Sequence, residues 1–167
     1  IDISPEMIRH CETHLDNSAS DTQFILGSFF DHSFPDASFD LVSALGFIEY
    51  ISEHELTNLF SSISRMLKPG GQAIIGSRNR LFNLFSMNLF TEIEIQLNNL
   101  ENLMQQAIKC QSHTDTEQLI TSLLESPIYE PQPHKHPLTN IRVDTRYQYS
   151  PGELCFRLTQ HQLAPEQ

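Results

Sequence analysis

Two short runs organise this chain, Ser38-Phe39-Asp40-Leu41-Val42 and Met66-Leu67-Lys68-Pro69-Gly70-Gly71, and each lies at the edge of an apolar segment. Residues 39–45 and residues 72–76 are short and apolar, as strands are, and the segment between them has helical periodicity. The order of strand, helix, glycine turn and strand is typical of one unit of a doubly wound α/β sheet.

The helix between the two strands has a clear start and end. Ser52 is suited to cap it, and Glu55, three residues later, completes a capping box. Pro69 is expected to stop the helix, and the two glycines after it permit a positive-φ turn into the next strand. The apolar residues recur at helical spacing and predict a face that packs on a sheet: Leu56, Leu59, Phe60, Ile63 and Leu67.

The composition restricts the possible functions. The chain has 167 residues, which favours one domain, and a formal net charge of −11. That acidic balance argues against a nucleic-acid partner, because phosphate binding needs clustered lysine and arginine. Cys11, Cys110 and Cys155 contain no CxxC pair and favour a reduced, cytoplasmic protein. No apolar stretch approaches the roughly 18 residues of a membrane span, so no membrane partner is predicted.

Further elements are predicted on either side of this unit. Ile1-Asp2-Ile3 has the pattern of a strand end, and Ser4 and Pro5 then open a helix that is expected to run to about Leu15. Residues 24–26 predict a brief strand. Beyond the central unit, the patterns predict two helices within residues 81–109, a helix at 117–124, a proline-rich loop at 127–137 and a capped helix at 151–160.

The two opening runs contain FDLV and LKPGG, and in this order they resemble the class I S-adenosylmethionine-dependent methyltransferases, in particular the methyltransferase type 11-like domain. Residues 27–42, GSFFDHSFPDASFDLV, align without a gap on the family's GDAxxLPFPDxSFDLV. Residues 146–154, RYQYSPGEL, are similar to the family's later YxYTPxEL helix opening. The resemblance covers residues 1–80 and does not cover the helices that follow.

The resemblance implies a binding site for the adenosine part of S-adenosylmethionine. Asp2 would accept hydrogen bonds from the ribose diol, as an acid at a strand end does in other nucleotide-binding sheets, and Ile3 and Met7 would flank the adenine. Ser28 stands where the family usually has an aspartate that accepts from the adenine amine. Phe29 would present its backbone N–H to the adenine ring.

The carboxyl end of the first central strand is the expected place of methyl transfer. There the small or apolar residues Ala44, Leu45 and Gly46 would admit the methionine part of the cofactor. A protein base is needed only if the acceptor loses a proton, and Glu49 and Tyr50, where many relatives carry histidine, are the catalytic candidates. Core packing or helix entry is the alternative for both, and His54 is another possible base.

Several other polar residues have both a possible functional role and a possible structural role. Tyr50, Arg78 and Asn79 are candidate contacts for the methyl acceptor, with a solvated strand end as the alternative. Asp40 lies at the start of its strand, away from the carboxyl ends where ligands gather, and is predicted to be structural. Neither His10, Cys11 and His14 on the first helix nor residues 134–136, His-Lys-His, have a suitably spaced carboxylate, so no metal site is predicted.

The resemblance implies a Rossmann-like, doubly wound α/β fold formed by residues 1–80 and 141–167. Residues 81–140 are expected to form a helical insertion after the fifth strand, a lid over the acceptor with a proline-rich loop. No G-x-G occurs in the chain, so the family's first strand and glycine loop are missing. We therefore expect a chain truncated before or within the second strand, and also at its C-terminus, that binds cofactor poorly alone although the intact protein is active.

Three functions fit these patterns. The leading one is S-adenosylmethionine-dependent transfer of a methyl group, in line, to a small-molecule acceptor. A nicotinamide-dependent oxidoreductase is an alternative, because an acid after a strand also serves that cofactor. The third is a non-catalytic methyltransferase-like module that binds a protein through its helical insertion, which Ser28 and Tyr50, in place of the family's usual residues, favour. The oligomeric state is not encoded in any of these patterns.

Overall fold

The computed structural model describes residues 1–14, 21–127 and 146–165. The elements in chain order are α1 (Pro5–His14), β1 (Phe39–Leu45), α2 (Glu53–Met66), β2 (Leu67–Gly76), α3 (Leu89–Gln96), α4 (Leu100–Ser112), α5 (Thr116–Leu124) and α6 (Pro151–Gln160). Short 3-10 helices span Phe29–Asp31, Ile48–Tyr50 and Arg80–Leu84. The chain forms two compact units, Ile1–Asp36 and Ala37–Gln167.

The first unit contains α1 and one isolated β-bridge. Asp2 and Leu26 form a parallel bridge, in which the Asp2 N–H donates to the Ile25 carbonyl (3.1 Å) and the Gly27 N–H donates to the Asp2 carbonyl (2.9 Å). The strand predicted at residues 24–26 is therefore wrong in extent. Pairing stops because Ser4 begins the turn into α1 and Gly27, at φ +154°, redirects the other segment.

The second unit is built on a parallel pair of strands. β1 lies beside β2, with Leu41 opposite Gln72 and Leu45 opposite Gly76. The connecting α2 has the predicted capping box, since the Glu55 N–H donates to Ser52 Oγ (3.3 Å) and the Ser52 N–H donates to Glu55 Oε2 (2.8 Å). Its buried face consists of Leu56, Leu59, Phe60, Ile63 and Met66. The predicted strand at 39–45 and the helix after it are confirmed.

The start of the second strand differs from the prediction. α2 ends at Met66, before Pro69 can act, and β2 begins at Leu67 rather than at Gln72. The last carbonyls of α2 accept hydrogen bonds from the chain that leads into β1. One of these bonds runs from the Ser38 N–H to the Met66 carbonyl (2.8 Å). The LKPGG residues form an irregularity within β2, where Gly70 has a φ of +80° that favours glycine.

The two faces of this sheet differ in burial. Val42, Ala44, Ala73 and Ile75 lie on one face and are half-buried, whereas Leu41, Leu45 and Ile74 lie on the opposite face and are about half or more exposed. The described residues form a mixed α/β structure with a small parallel sheet and six α-helices, compatible with a Rossmann-like fold. The complete doubly wound sheet, the insertion after a fifth strand and the predicted domain bounds stay predictions.

Arg80, just after β2, lies at the centre of a buried polar cluster. Its Nε and one terminal nitrogen contact the two carboxylate oxygens of Glu94 at 2.7 and 2.8 Å, and the other terminal nitrogen lies 2.6 Å from Glu153 Oε1. Asn83 and Asn99 also donate to Glu94. All three charged side chains are nearly inaccessible to solvent. The cluster thus joins the end of β2 to α3 and α6.

The residues after β2 form the predicted number of helices, and several of their polar side chains are buried. α3 and α4 confirm the expectation of two helices, and α5 and α6 match the predicted helices at 117–124 and 151–160. The apolar side chains Phe82, Phe85 and Met87 are largely exposed, whereas Glu94, Asn99 and Gln106 are buried. Polar side chains therefore occupy part of the interior of this region. None of the described helices is both long and apolar enough to cross a bilayer.

Replacing Arg80 by methionine is expected to destabilise the protein strongly. The Arg80→Met variant leaves Glu94 and Glu153 buried without their cation, which typically costs about 3–5 kcal/mol. The matched control is Lys68→Met, which removes an exposed ion pair with Asp40 (2.7 Å) that is worth at most about 1 kcal/mol. Urea unfolding measures both, and equal losses in the two variants contradict the importance of the cluster.

The pH dependence of stability reports on Glu94. Burial raises the pKa of Glu94, but its hydrogen bonds to Arg80 and the charge of Arg80 outweigh this, so that the pKa lies below the ordinary value of 4.5. A lowered pKa stabilises the folded state above 4.5, and this contribution is lost as the pH falls through the folded pKa. The cost of Glu94→Gln should be greatest near pH 7 and shrink below pH 4.5. The exposed Glu92→Gln should cost little at any pH, and a pH-independent cost for Glu94→Gln contradicts the prediction.

Candidate functional site

In the first unit, the predicted adenosine residues lie at the β-bridge and the start of α1. The carboxylate of Asp2 is half-buried, and its Oδ1 accepts the Ser4 N–H (2.7 Å), which fixes the orientation of the group. Ile3 and Met7 are exposed to 75% and 52% although both are apolar. An oriented acid beside exposed apolar side chains offers hydrogen-bond acceptors for a diol and a surface for a flat ring.

Ser28 and Phe29 form the second part of this group. The Ser28 hydroxyl caps the short helix Phe29–Asp31 by accepting the Phe30 N–H (3.2 Å), so its hydrogen remains for donation. The Phe29 N–H lies in the first turn, where helical N–H groups have no acceptor within the helix. Gly27 beside them has a φ of +154°, which L side chains rarely adopt, and a Cβ there would lie 2.9 Å from the His32 ring.

In the second unit, the carboxyl end of β1 is open. Ala44 is half-buried, Leu45 is mostly exposed, and a Cβ added at Gly46 would meet nothing within 4 Å. The Gly46 N–H donates to the Gly76 carbonyl at the end of β2 (3.0 Å), which keeps the two strand ends together. The sequence-predicted residues at this edge therefore border open space.

Glu49 is buried directly after this edge, and both of its carboxylate oxygens contact partners. Oε1 accepts the Arg78 N–H (2.7 Å), and Oε2 lies 3.1 Å from Arg146 Nε in an ion pair. The Glu49 carbonyl accepts the Tyr147 N–H (2.9 Å). This carboxylate holds the chain after β2 and the segment before α6 against the end of β1, a geometry suited to anchoring.

Tyr50 is the exposed member of the pair and lies against Arg146. The guanidinium carbon of Arg146 is 4.8 Å from the centroid of the Tyr50 ring, and a terminal nitrogen of Arg146 contacts the Tyr50 hydroxyl. Such stacking of a guanidinium on an aromatic face is attractive and orients both groups. The phenol is thereby held at the carboxyl end of the sheet with 45% of Tyr50 accessible.

The remaining candidates have different surroundings. Arg78 is exposed and contributes its backbone N–H to the Glu49 group. Asn79 forms a bridge with Tyr149, and its Oδ1 accepts the Leu81 N–H (2.9 Å) as a helix cap. His54 is exposed on α2, with Nδ1 at 3.4 Å from Asn58. The structure thus brings together Glu49, Tyr50 and the main chain of Arg78, whereas the side-chain oxygen of Asn79 is occupied locally.

Predictions for other polar residues vary in outcome. Asp40 pairs with Lys68 at the start of β1, in line with a structural role. The rings of His10 and His14 stack at 4.0 Å. Among the residues that the structure describes, no three His, Cys, Asp or Glu side chains are placed to hold a metal ion. The His-Lys-His run at 134–136 lies outside the described residues.

Arg146 is the site residue that sequence reasoning missed. It precedes the capping box of α6, where an arginine gives no local signal of a contact with residues near position 50. Arg146 is nonetheless within the segment that resembles the family's YxYTPxEL motif, so the motif located the segment without revealing which side chain reaches the strand edge.

A parallel β-α-β unit with polar residues gathered at its carboxyl edge is the arrangement of nucleotide-binding α/β proteins. Residues 1–75 match the model of the methyltransferase domain family. The predicted resemblance is thereby confirmed. No curated protein and no solved structure matches the chain.

Proposed function

We propose that this protein transfers a methyl group from S-adenosylmethionine to a small-molecule acceptor. The observation that carries the proposal is the group formed by Asp2, Ile3 and Met7 within the segment that matches the methyltransferase family. The bound cofactor supplies a methyl group already activated on a sulfonium, so the protein has to orient the reactants and exclude water.

The residues of the first unit fit the adenosine part of that cofactor. One oxygen of Asp2 is engaged by the Ser4 N–H, and the other is suited to accept from a ribose hydroxyl. The first-turn amide of Phe29 and the Ser28 hydroxyl offer donors for adenine ring nitrogens. In the second unit, Tyr50 and Arg78 at the open strand end would face the acceptor.

A non-catalytic, protein-binding module is the second candidate function. The exposed apolar side chains of Phe82, Phe85 and Met87 favour it, because large apolar surfaces are commonly covered by a partner. Absence of cofactor binding by the intact protein would support this candidate over the enzyme. Saturable binding of S-adenosylmethionine would support the enzyme.

Replacing Asp2 by asparagine is expected to weaken the binding of S-adenosylmethionine by about tenfold or more, because a charge-assisted acceptor of the ribose diol is lost. Isothermal titration with S-adenosylmethionine and with S-adenosylhomocysteine measures the effect. Asp21→Asn, which removes an exposed acid from the same unit, is the matched control and should leave affinity unchanged. Equal affinities for the Asp2 and Asp21 variants would discredit this placement of the adenosine.

A further inference from the structure

The contact between Tyr50 and Arg146 has a fixed hydrogen-bond polarity. An arginine side chain carries only donors, so the Tyr50 oxygen must accept from Arg146. The phenol hydrogen is then directed away from the guanidinium. Since Tyr50 is exposed, that hydrogen is presented at the carboxyl edge of β1 as a donor.

Glu49 holds the guanidinium in place from the opposite side. Its Oε2 lies 3.1 Å from Arg146 Nε, and its Oε1 is occupied by the Arg78 N–H. The Arg146 side chain is 17% exposed, so the group is both fixed and reachable. A guanidinium restrained on one edge and stacked on one face loses little further freedom when it binds a ligand.

The charge of this cluster is unusual for the chain. The negative charge of Glu49 offsets that of Arg146, and Arg78, whose main chain contacts Glu49, carries a positive charge on an exposed side chain. The chain as a whole carries −11. Donors and a surplus positive charge are therefore concentrated at the strand edge of an otherwise acidic protein.

We propose that Tyr50 and Arg146 bind a carboxylate of the methyl acceptor, with Arg78 supplying the charge that balances it. The proposal rests on the proposed function and names its substrate class. A planar carboxylate matches one phenol donor beside one guanidinium, and its single charge matches the surplus charge of the cluster. A dianionic phosphate matches the cluster less well. The charge of Glu49 neutralises one of the two arginines, so only one positive charge remains to balance the ligand.

Three probes that share a phenyl ring and differ in their polar group test the proposal without a known acceptor: benzoate, phenyl phosphate and benzyl alcohol. Their binding is followed by NMR of the tyrosine rings, with the Tyr50 signals assigned by their loss in Tyr50→Phe. Benzoate should shift the Tyr50 signals saturably and bind more tightly than the other two. Equal binding of benzyl alcohol, or tighter binding of phenyl phosphate, would overturn the assignment of a carboxylate.

Variants assign the effect to these side chains. Arg146→Gln should weaken benzoate binding by about tenfold, and Arg146→Lys, which keeps the charge and loses the planar fork, should fall between it and the unmodified protein. Arg157→Gln is the matched control, because Arg157 also pairs with a glutamate, Glu53, and lies over a tyrosine, Tyr149. Circular dichroism checks folding. Equal losses in the Gln variants of Arg146 and Arg157 would overturn the proposal.

Titration with S-adenosylmethionine separates this inference from the proposed function. Cofactor binding without any preference for benzoate would overturn the carboxylate site alone. A carboxylate preference that depends on Arg146, in a protein that does not bind S-adenosylmethionine, would overturn the proposed function and leave the anion-binding site supported.

Discussion

The second unit depends on the burial of Arg80 between two carboxylates. A guanidinium removed from water is tolerable only when its donors are matched, and here Glu94 takes two of them in parallel while Glu153 takes a third. Because these residues come from the end of β2, from α3 and from α6, satisfying one side chain fixes three parts of the chain. The Arg80 N–H also donates to the Tyr149 carbonyl (2.9 Å), so the segment before α6 is held beside the end of the sheet.

The same segment contains Arg146. Holding this segment beside the sheet therefore also brings Arg146 to the carboxyl end of β1. Glu49 receives Arg146 and the Tyr147 N–H from one direction and the Arg78 N–H from another. Residues far apart in the chain thus meet at the carboxyl end of β1. Burial of Glu153 raises the pKa of this carboxyl group, opposed by the Arg80 charge. The buried ion pairs of this unit fix the relative positions of its elements, and removing their charges from water costs part of the free energy that they contribute.

Local signals allowed much of the fold to be predicted. The bounds of β1, the capping box at Ser52 and the capped helix at 151–160 depend on neighbouring residues, and the structure has all three. The start of β2 could not be predicted, because α2 is ended by hydrogen bonds from the chain before β1 rather than by its own proline. The contact between Glu49 and Arg146 is equally non-local. The family resemblance was enough to predict which residues belong to the candidate site. The contacts that these residues make could be found only in the folded structure.

The anchoring of α6 has a consequence for how the molecule opens. Within this helix the fully buried residues are Gly152 and Glu153 and the apolar side chains are only half-buried, so polar contacts such as Arg80 with Glu153 and Arg157 with Glu53 contribute much of its attachment. Guanidinium chloride screens charge and urea does not, and local opening occurs where few apolar contacts resist it. The last helix can therefore detach as a separate cooperative segment at guanidinium concentrations that leave the β1-α2-β2 unit folded. Its amide protons would then exchange with solvent ahead of those of α2, whose attachment is apolar.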